Sequence, residues 1–403
     1  MKWLIVVDKY IPEIVGGNVI YVERFIKELI DLGHDVTLLA ATNKKDCAEY
    51  EKIDKLKIYR VYNKKGTVGP LRFGNRTLLT QKISLLLAEG EYDVVNTHTA
   101  CLLTLSFLKK EKKKYNFKLV STLHAVHTYE LLFDMKKYLT LQSMNYKEII
   151  TFIPKLILMY IFEYNTLKSA EGVVVMSEYV KNTIKMFFGT KFLNKVLVTG
   201  IGVSQLTDLE QVSKRDARAK LQLRDEETLF ITVRRLAPRM GLYNLIKAFS
   251  CIKNDSARLL IVGKGELYEG LNKYIKKLNL QNKVTLLGFV DNDSLHYYYC
   301  ASDCFILPTE QLEGFGIVTI EALNYNLPVI GTPSGATPEI LSKFDYNLIT
   351  ESPKSKDIKE KINYYLANKS NYCDINYRDL VQAEYNWHLI INKIVEFIEQ
   401  RGD

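Results

Sequence analysis

The feature that most constrains the fold of this chain is a stretch in which short apolar runs alternate with glycine-rich loops. Residues 307–340 read LPTEQLEGFGIVTIEALNYNLPVIGTPSGATPEI. The apolar run at 304–307 stops at Pro308, a helical segment follows Gly316, and a second apolar run at 329–330 leads into another loop. This order predicts strand, loop, helix, strand, loop and helix, which is the repeating unit of a parallel α/β sheet.

Two glycines and two glutamates make the same stretch a candidate binding site. Gly314 and Gly316 stand at the start of the first predicted helix, where glycine lets backbone N–H groups approach a ligand and a helix N-terminus favours anions. Glu313 precedes this helix and Glu321 lies about two turns into it, so both carboxylates can face one anion-binding mouth. A carboxylate repels phosphate, so each glutamate is better suited to the hydroxyls of a sugar or ribose. The stretch therefore predicts the donor half of a sugar-nucleotide site.

The run Glu-Gly-Phe-Gly-x4-Glu at 313–321, with the segment NLPVIGTPSGATPEI after it, resembles the retaining glycosyltransferases of family 4. The resemblance spans nearly the whole chain. It implies the GT-B fold, in which two Rossmann-like α/β domains enclose an interdomain cleft and a C-terminal helix crosses back to the first domain. We expect an acceptor-side domain at 1–203 with a helix at 386–403 packed on it, and a donor-binding domain at 204–385.

The resemblance also implies roles for individual residues. Glu313 would contact the transferred sugar and Glu321 the ribose, while the backbone amides of Gly316, Ile317 and Val318 would hold the diphosphate. The further donor-binding candidates are Gly16, Gly17, Gly263, Val290, Gly314 and Phe315. For Gly16 and Gly17 a plain tight turn is the alternative interpretation.

One departure from the family pattern concerns the diphosphate. The family's counterpart of residues 229–249 carries an arginine and a lysine that together neutralise the phosphates. In this chain the arginine is Arg235, whereas Met240 occupies the lysine position. Methionine carries no charge, so Arg234 or Arg239 would have to supply the second cation through the fork of a guanidinium, or helix dipoles must suffice. Arg235 is predicted to stabilise the leaving phosphate.

Histidines stand at the ends of two predicted strands. His124 ends the strand KLVSTLH, and open α/β sheets bind ligands at the carboxyl ends of their strands. The family places a histidine here near the anomeric carbon, so His124 is predicted to act at the reacting sugar. We interpret His98 and His127 as structural.

Composition and charge exclude several other classes. A length of 403 residues suits two domains, and the first strand–helix–strand unit lacks the G-x-G-x-x-G fingerprint of NAD-binding proteins. The net charge of +9 favours an anionic partner, but no nucleic-acid-binding motif accompanies it. The Cys300/Cys304 pair has no second pair nearby, and Asp291-Asn-Asp293 is typical of a helix cap. We therefore expect neither a metal nor another cofactor.

Residues 109–165 have an unusual composition that bears on the acceptor. They contain ten lysines and five acidic residues, with many tyrosines and phenylalanines around the apolar run at 149–162. Lysines around an apolar surface favour an interfacial helix on an anionic membrane, and a buried core helix with solvated lysines is the alternative. The run is too short for a bilayer span and contains Pro154 and Lys155. A cytoplasmic protein is expected, peripheral on the inner face of the membrane.

These patterns together predict a metal-independent enzyme that transfers a sugar, with retention of configuration, from a nucleoside-diphosphate sugar to an acceptor hydroxyl. The acceptor would be a sugar or a lipid-linked sugar, in the biosynthesis of a cell-envelope polysaccharide, a glycolipid or another glycoconjugate. Two alternatives stay open. One is a different GT-B enzyme such as a sugar-nucleotide epimerase, and the other is a non-catalytic subunit that binds sugar nucleotides.

Overall fold

The computed structural model describes residues 1–8, 10–11, 17–42, 44–62, 76–98, 105–140, 146–204, 206 and 212–401. The chain divides into two compact units. The first unit contains Met1–Ile201 and Trp387–Asp403, and the second contains Gly202–Asn386. The boundaries predicted from the sequence are 203/204 and 385/386. Gly16, one of the donor-binding candidates, lies outside the described residues.

The first unit is built on an eight-stranded sheet. Its strands are β1 (Lys2–Val7), β2 (Asp35–Thr42), β3 (Tyr50–Ile53), β4 (Leu56–Tyr62), β5 (Val94–His98), β6 (Lys118–Leu123), β7 (Gly172–Val175) and β8 (Val196–Val198). They lie in the order β3-β4-β2-β1-β5-β6-β7-β8, and every neighbouring pair is parallel except β3 with β4. The edge strand β3 was not predicted, because its four residues YEKI have no buried face that would mark them as a strand.

Seven α-helices accompany this sheet within the described residues. They are α1 (Gly17–Asp31), α2 (Arg76–Glu89), α3 (Leu105–Glu111), α4 (His127–Thr140), α5 (Tyr146–Ser169), α6 (Glu178–Phe188) and the C-terminal α15 (Trp387–Glu399). The central strand β1 is buried along residues 3–7, as expected for a parallel sheet covered on both faces. Helix α15 packs beside α1, with the rings of Trp387 and Tyr21 5.2 Å apart.

The second unit is built on a five-stranded parallel sheet. Its strands are β9 (Thr228–Val233), β10 (Ala257–Val262), β11 (Val284–Gly288), β12 (Cys304–Leu307) and β13 (Val329–Gly331), in the order β11-β10-β9-β12-β13. Its helices are α7 (Lys214–Lys220), α8 (Leu242–Phe249), α9 (Tyr268–Lys277), α10 (Asn292–Ala301), α11 (Ile317–Asn324), α12 (Thr337–Leu341), α13 (Ser355–Ala367) and α14 (Tyr377–Glu384). The chain winds outward from β9 to β11 and then returns to the other side of β9. The carboxyl ends of β9 and β12 therefore flank a switch point, where open α/β sheets bind ligands.

A buried carboxylate lies at the amino ends of the strands of this second sheet, opposite the switch point. Asp303, immediately before β12, accepts hydrogen bonds from Arg218 and from the backbone N–H of Leu229, each at 2.8 Å. The Asp303 and Arg218 side chains are each 5% exposed, and Lys214 and Lys369 also pair with the carboxylate. Burial by itself raises the pKa of Asp303, but Lys214, the Leu229 amide and Lys369 together lower it below its ordinary value. This ion cluster links α7 to the start of β12, at the end of the sheet that faces away from the switch point.

Helix α5 is the longest α-helix of the described chain and continues through Pro154. One of its faces contains the buried side chains of Met159, Glu163 and Leu167. Within the described ranges, none of the helices combines the length and apolar character that crossing a bilayer requires.

Candidate active site

The switch point of the second unit brings together three polar side chains. Arg234 directly follows β9, and Thr309 and Glu313 follow β12. Arg234 Nη1 lies 2.8 Å from Thr309 Oγ1, and Arg234 Nη2 lies 3.2 Å from Glu313 Oε2. The Thr309 hydroxyl also donates to Glu313 Oε2 at 2.8 Å. We call these three residues the Arg234 cluster.

The Arg234 cluster is a nearly buried ion pair. The Arg234 side chain is 6% exposed and that of Glu313 is 18% exposed. Burial lowers the pKa of Arg234, and the neighbouring Glu313 carboxylate counteracts that effect. A buried charge is tolerated when a partner and hydrogen bonds satisfy it, and these contacts hold the Glu313 side chain at a fixed position.

Close backbone contacts hold the loop that contains Glu313. The Ala336 amide donates to the Glu313 carbonyl oxygen at 2.8 Å. A Cβ atom on Gly335 would lie 2.0 Å from the same oxygen, so only glycine fits beside it. Gly263, one of the predicted donor-binding residues, packs in the same way against the backbone at the end of β9. A Cβ atom on Gly263 would lie 1.9 Å from the Arg234 carbonyl oxygen. The backbone of Glu313 and the backbone of Arg234 are therefore each packed against a glycine.

Helix α11 begins directly beside this cluster. Its N-cap is Gly316 in the left-handed conformation with φ 84°, and within the described residues no side chain caps this end. The first turn contains Ile317 and Val318 and has no acidic residue. A Cβ atom on Gly316 would lie 3.5 Å from Glu313 Cγ, so the helix start and the carboxylate are in contact distance. Uncapped N–H groups and the helix dipole favour an anion at this position.

The other candidates on this stretch have different surroundings. Glu321 is half-buried on the second turn of α11. Phe315 is 5% exposed and its ring packs edge-on against Tyr385 with centroids 5.5 Å apart. The Phe315 side chain is thus part of the hydrophobic core, and only its backbone can serve a ligand. Gly314 lies between Glu313 and Phe315 in the loop before α11.

Arg235, the arginine predicted to hold the phosphate, does not belong to the Arg234 cluster. Its side chain is 68% exposed and pairs with Glu266 at 3.1 Å. Arg239 is half-buried and donates from Nη1 to the carbonyl oxygen of Leu312 at 2.8 Å. Val290 is half-buried two residues beyond β11. The residue brought against Glu313 is therefore Arg234, for which the sequence predicts only a role as a substitute for the missing lysine.

In the first unit the predicted residue His124 is paired with His98. His98 is the last residue of β5 and His124 directly follows the neighbouring strand β6, so their strand ends are adjacent. His98 Nδ1 lies 3.0 Å from His124 Nε2, and the Tyr21 ring packs edge-on against His124 with centroids 4.9 Å apart. Gly17 is the first residue of α1 in the same unit. The sequence alone predicts a structural role for His98, because only the register of β5 against β6 shows its pairing with His124.

Burial keeps this histidine pair neutral. Burial, with a smaller contribution from the nearby His127, lowers the pKa of His124 to about 3. Burial also lowers the pKa of His98, with a smaller contribution from His124. Near neutral pH one imidazole therefore donates the shared hydrogen bond and the other accepts it.

The loop after His124 is fixed by the buried Glu163 of α5. Glu163 accepts hydrogen bonds from the backbone N–H groups of His127 at 2.6 Å and Thr128 at 3.1 Å, which caps the N-terminus of α4. The His127 ring pairs with Glu130 at 2.9 Å. These contacts give His127 a structural role in the fold and define the start of α4.

Two predictions about metals bear on the chemistry. Asp291 caps α10 by accepting from the Ser294 amide at 2.9 Å, as the sequence indicated. Across the part of the chain that the structure describes, no three His, Cys, Asp or Glu residues are grouped so that they could hold a metal ion.

Comparisons with known proteins agree with this arrangement. The model of the glycosyl transferases group 1 matches residues 213–387, and the model of Glycosyltransferase Family 4 matches residues 15–203. An uncharacterized glycosyltransferase of Methanocaldococcus jannaschii is 26% identical over 98% of this chain and 97% of its own length. A GDP-mannose-dependent alpha-(1-6)-phosphatidylinositol monomannoside mannosyltransferase of Mycobacterium tuberculosis is 26% identical over 57% of this chain and 62% of its own length.

A solved structure extends the comparison to the fold. The sucrose-phosphate synthase of Thermosynechococcus elongatus superimposes with a TM-score of 0.75 at 22% identity, covering 99% of both chains. Two sheets of mainly parallel strands flanked by helices are the architecture of a GT-B glycosyltransferase. The chain belongs to glycosyltransferase family 4, and the family and fold expected from the sequence are confirmed.

Proposed function

We propose that this protein is a retaining glycosyltransferase that moves a sugar from a nucleoside-diphosphate sugar to an acceptor hydroxyl. The observation that carries the proposal is the Arg234 cluster beside the uncapped start of α11. It combines a fixed carboxylate for sugar hydroxyls with a cation and backbone N–H groups for phosphate. Catalysis of this reaction requires stabilising the charge that develops on the leaving diphosphate, and preorganised donors do this without reorganising.

Each residue then has a defined task in the transfer. Glu313 holds the hydroxyls of the transferred sugar and Glu321 those of the ribose, while the Ile317 and Val318 amides bind the diphosphate. Arg234 replaces Arg235 in this proposal, because Arg235 is solvent-exposed and pairs with Glu266. His124 contacts the reacting sugar as a neutral imidazole. We propose same-face attack of the acceptor hydroxyl assisted by the leaving phosphate, with no metal ion and no side-chain nucleophile.

A panel of nucleoside-diphosphate sugars tests this function. A donor present at a hundred times its dissociation constant should stabilise the protein by about 2.7 kcal/mol, which a thermal-shift assay detects. With the selected donor, release of nucleoside diphosphate should require an acceptor, and the product should retain the anomeric configuration by NMR. Conversion of the donor without any acceptor would support an epimerase. Tight donor binding without turnover on any acceptor would support a non-catalytic subunit. Activity that survives EDTA would support metal independence.

The acceptor proposed for this enzyme is lipid-linked, and the exposed face of α5 supports it. Ile153, Ile157, Tyr160 and Ile161 lie on one face of the helix and are 47%, 55%, 39% and 46% exposed. An apolar helical stripe left in solvent is typical of an interaction surface. The mycobacterial relative is named for a phosphatidylinositol-based acceptor, which agrees with a lipid substrate.

The structure also changes which residues of 109–165 should be tested. Lys112 pairs with Glu171 and Lys114 with Glu111, so part of the lysine-rich run is engaged within the protein. We therefore expect the double variant Ile157→Asp with Ile161→Asp to lose sedimentation with phosphatidylglycerol vesicles. Leu85→Asp, at an exposed leucine of α2, is the matched control and should sediment like the wild type. Equal sedimentation with phosphatidylcholine vesicles, or none with either lipid, would contradict the membrane proposal.

A further inference from the structure

Met240 occupies the position at which family 4 is expected to carry a phosphate-binding lysine, and the structure shows what surrounds it. Its sulfur lies 2.8 Å from Nη2 of Arg234. Met240 ends the short 3-10 turn Pro238–Met240, directly before Gly241 in the left-handed conformation. The thioether is therefore packed against the guanidinium of the Arg234 cluster.

The surroundings of Met240 stabilise only one buried positive charge, that of Arg234. Arg234 already pairs with Glu313, the carboxylate in its immediate contact, and burial lowers the pKa of Arg234 in spite of that partner. Arg239 is a second positive charge close enough to lower the pKa of Arg234 further. A lysine at position 240 would bring an ammonium next to the guanidinium. Like charges this close in a site of reduced dielectric repel strongly, so methionine is compatible with Arg234 and lysine is not.

Arg234 also keeps its Nε–H donor for a ligand. Nη1 and Nη2 are used by Thr309, Glu313 and Met240, whereas the buried Nε has no hydrogen-bond partner among the described residues. A buried donor without a partner is costly, and an incoming anion would satisfy it. Arg234 is thus a cation that is fixed before any ligand binds and that has unused donor capacity.

We propose that Arg234 and Met240 are an exchanged pair, in which Arg234 carries the charge that the family places on the lysine, in addition to taking the phosphate role predicted for Arg235. Two consequences follow from this exchange, which rests on the proposed function of the site. The cation is held through Glu313, so the group that binds phosphate also positions the group that binds sugar. Moreover, residue 240 can carry a charge only when Arg234 does not.

Four variants test the exchange: Met240→Lys, Arg234→Ala, the double variant with both changes, and Arg235→Ala. The first readout is thermal unfolding without ligand. Met240→Lys alone should lower the melting temperature by roughly 4–10 °C through like-charge repulsion. In the Arg234→Ala background the same lysine should cause no decrease, because its ammonium would then pair with Glu313. Equal decreases in both backgrounds would overturn the exchange, and so would no decrease in either.

The second readout is calorimetric binding of uridine, guanosine, adenosine and thymidine diphosphates. Arg234→Ala should weaken binding of the diphosphate that the wild type prefers by at least about tenfold. This decrease corresponds to the loss of one charged hydrogen bond. The double variant should recover most of that affinity, which a purely structural role of Arg234 does not predict. A tenfold loss in Arg235→Ala without one in Arg234→Ala would return the role to Arg235. If the wild type binds none of the four, the proposed function and the phosphate role of Arg234 both fail. The unfolding experiment still decides whether the two positions are coupled.

Discussion

Replacing Glu313 by glutamine tests the proposed division of roles between the two glutamates. The carboxylate offsets a guanidinium that is 6% exposed and accepts hydrogen bonds from Thr309 at 2.8 Å and Arg234 at 3.2 Å. Removing one partner of a buried ion pair costs about 3–5 kcal/mol. Glutamine keeps an acceptor oxygen worth about 1 kcal/mol, and the Glu313 side chain is partly hydrated. We therefore expect the free energy of unfolding to fall by roughly 2–3 kcal/mol.

The effect on function should be separable from this loss of stability. A decrease of that size lowers the melting temperature by roughly 4–12 °C, so Glu313→Gln remains folded for assays at 20–25 °C. Turnover should fall to a small fraction of the wild-type rate, because the carboxylate no longer holds the sugar. Binding of nucleoside diphosphate should be as tight as in the wild type or tighter, because Arg234 loses a competing anion.

The matched variant is Glu321→Ala on the second turn of α11. This variant should weaken the binding of nucleoside diphosphate and of nucleotide sugar to the same extent, because Glu321 contacts the ribose that both ligands share. Titration calorimetry gives the dissociation constants of both ligands, and initial rates on the selected donor give the turnover of each variant. Equal losses of nucleoside diphosphate affinity in Glu313→Gln and Glu321→Ala would refute the assignment of sugar to one residue and ribose to the other.

Three further predictions concern residues outside the Arg234 cluster. Gly335→Ala should lower both stability and turnover in unfolding and rate measurements, because its Cβ would lie 2.0 Å from the Glu313 carbonyl oxygen at a φ of +60°. Unchanged turnover in Gly335→Ala would show that the loop can relax. Asp303 has a lowered pKa in the folded protein, so its contribution to stability is present above its unfolded pKa of about 4 and is lost as pH falls through the folded value. Urea unfolding from pH 7 to pH 3 should show this acid sensitivity in the wild type and a smaller one in Asp303→Asn, whereas parallel pH profiles would contradict it. His98→Ala should reduce turnover by about tenfold through loss of its hydrogen bond to His124, and His98→Asn, which can still form one, should restore most of it. An equal loss in both His98 variants would show that the ring matters only for packing.

The local pattern of the sequence determined the class of fold and the main stretch of the site. Apolar runs of strand length alternate with amphipathic helices, and this periodicity predicts parallel α/β units whatever the distant contacts are. The positions of Glu313 and Gly316 relative to their helix follow from the same local rule, since both are within a few residues of its start. The resemblance to family 4 rests on this stretch as well, and the comparisons confirm it.

The tertiary structure decided which of two neighbouring arginines enters the site. Successive residues of an extended segment point to opposite sides, so Arg234 and Arg235 cannot both face Glu313, and no local signal distinguishes them. The choice depends on how β9 is placed beside β12, which brings Thr309 against Arg234 and leaves Arg235 in solvent. The pairing of His98 with His124 likewise requires the register of β5 against β6. Contacts between segments distant in sequence are set by packing and register, and a single sequence read locally contains neither.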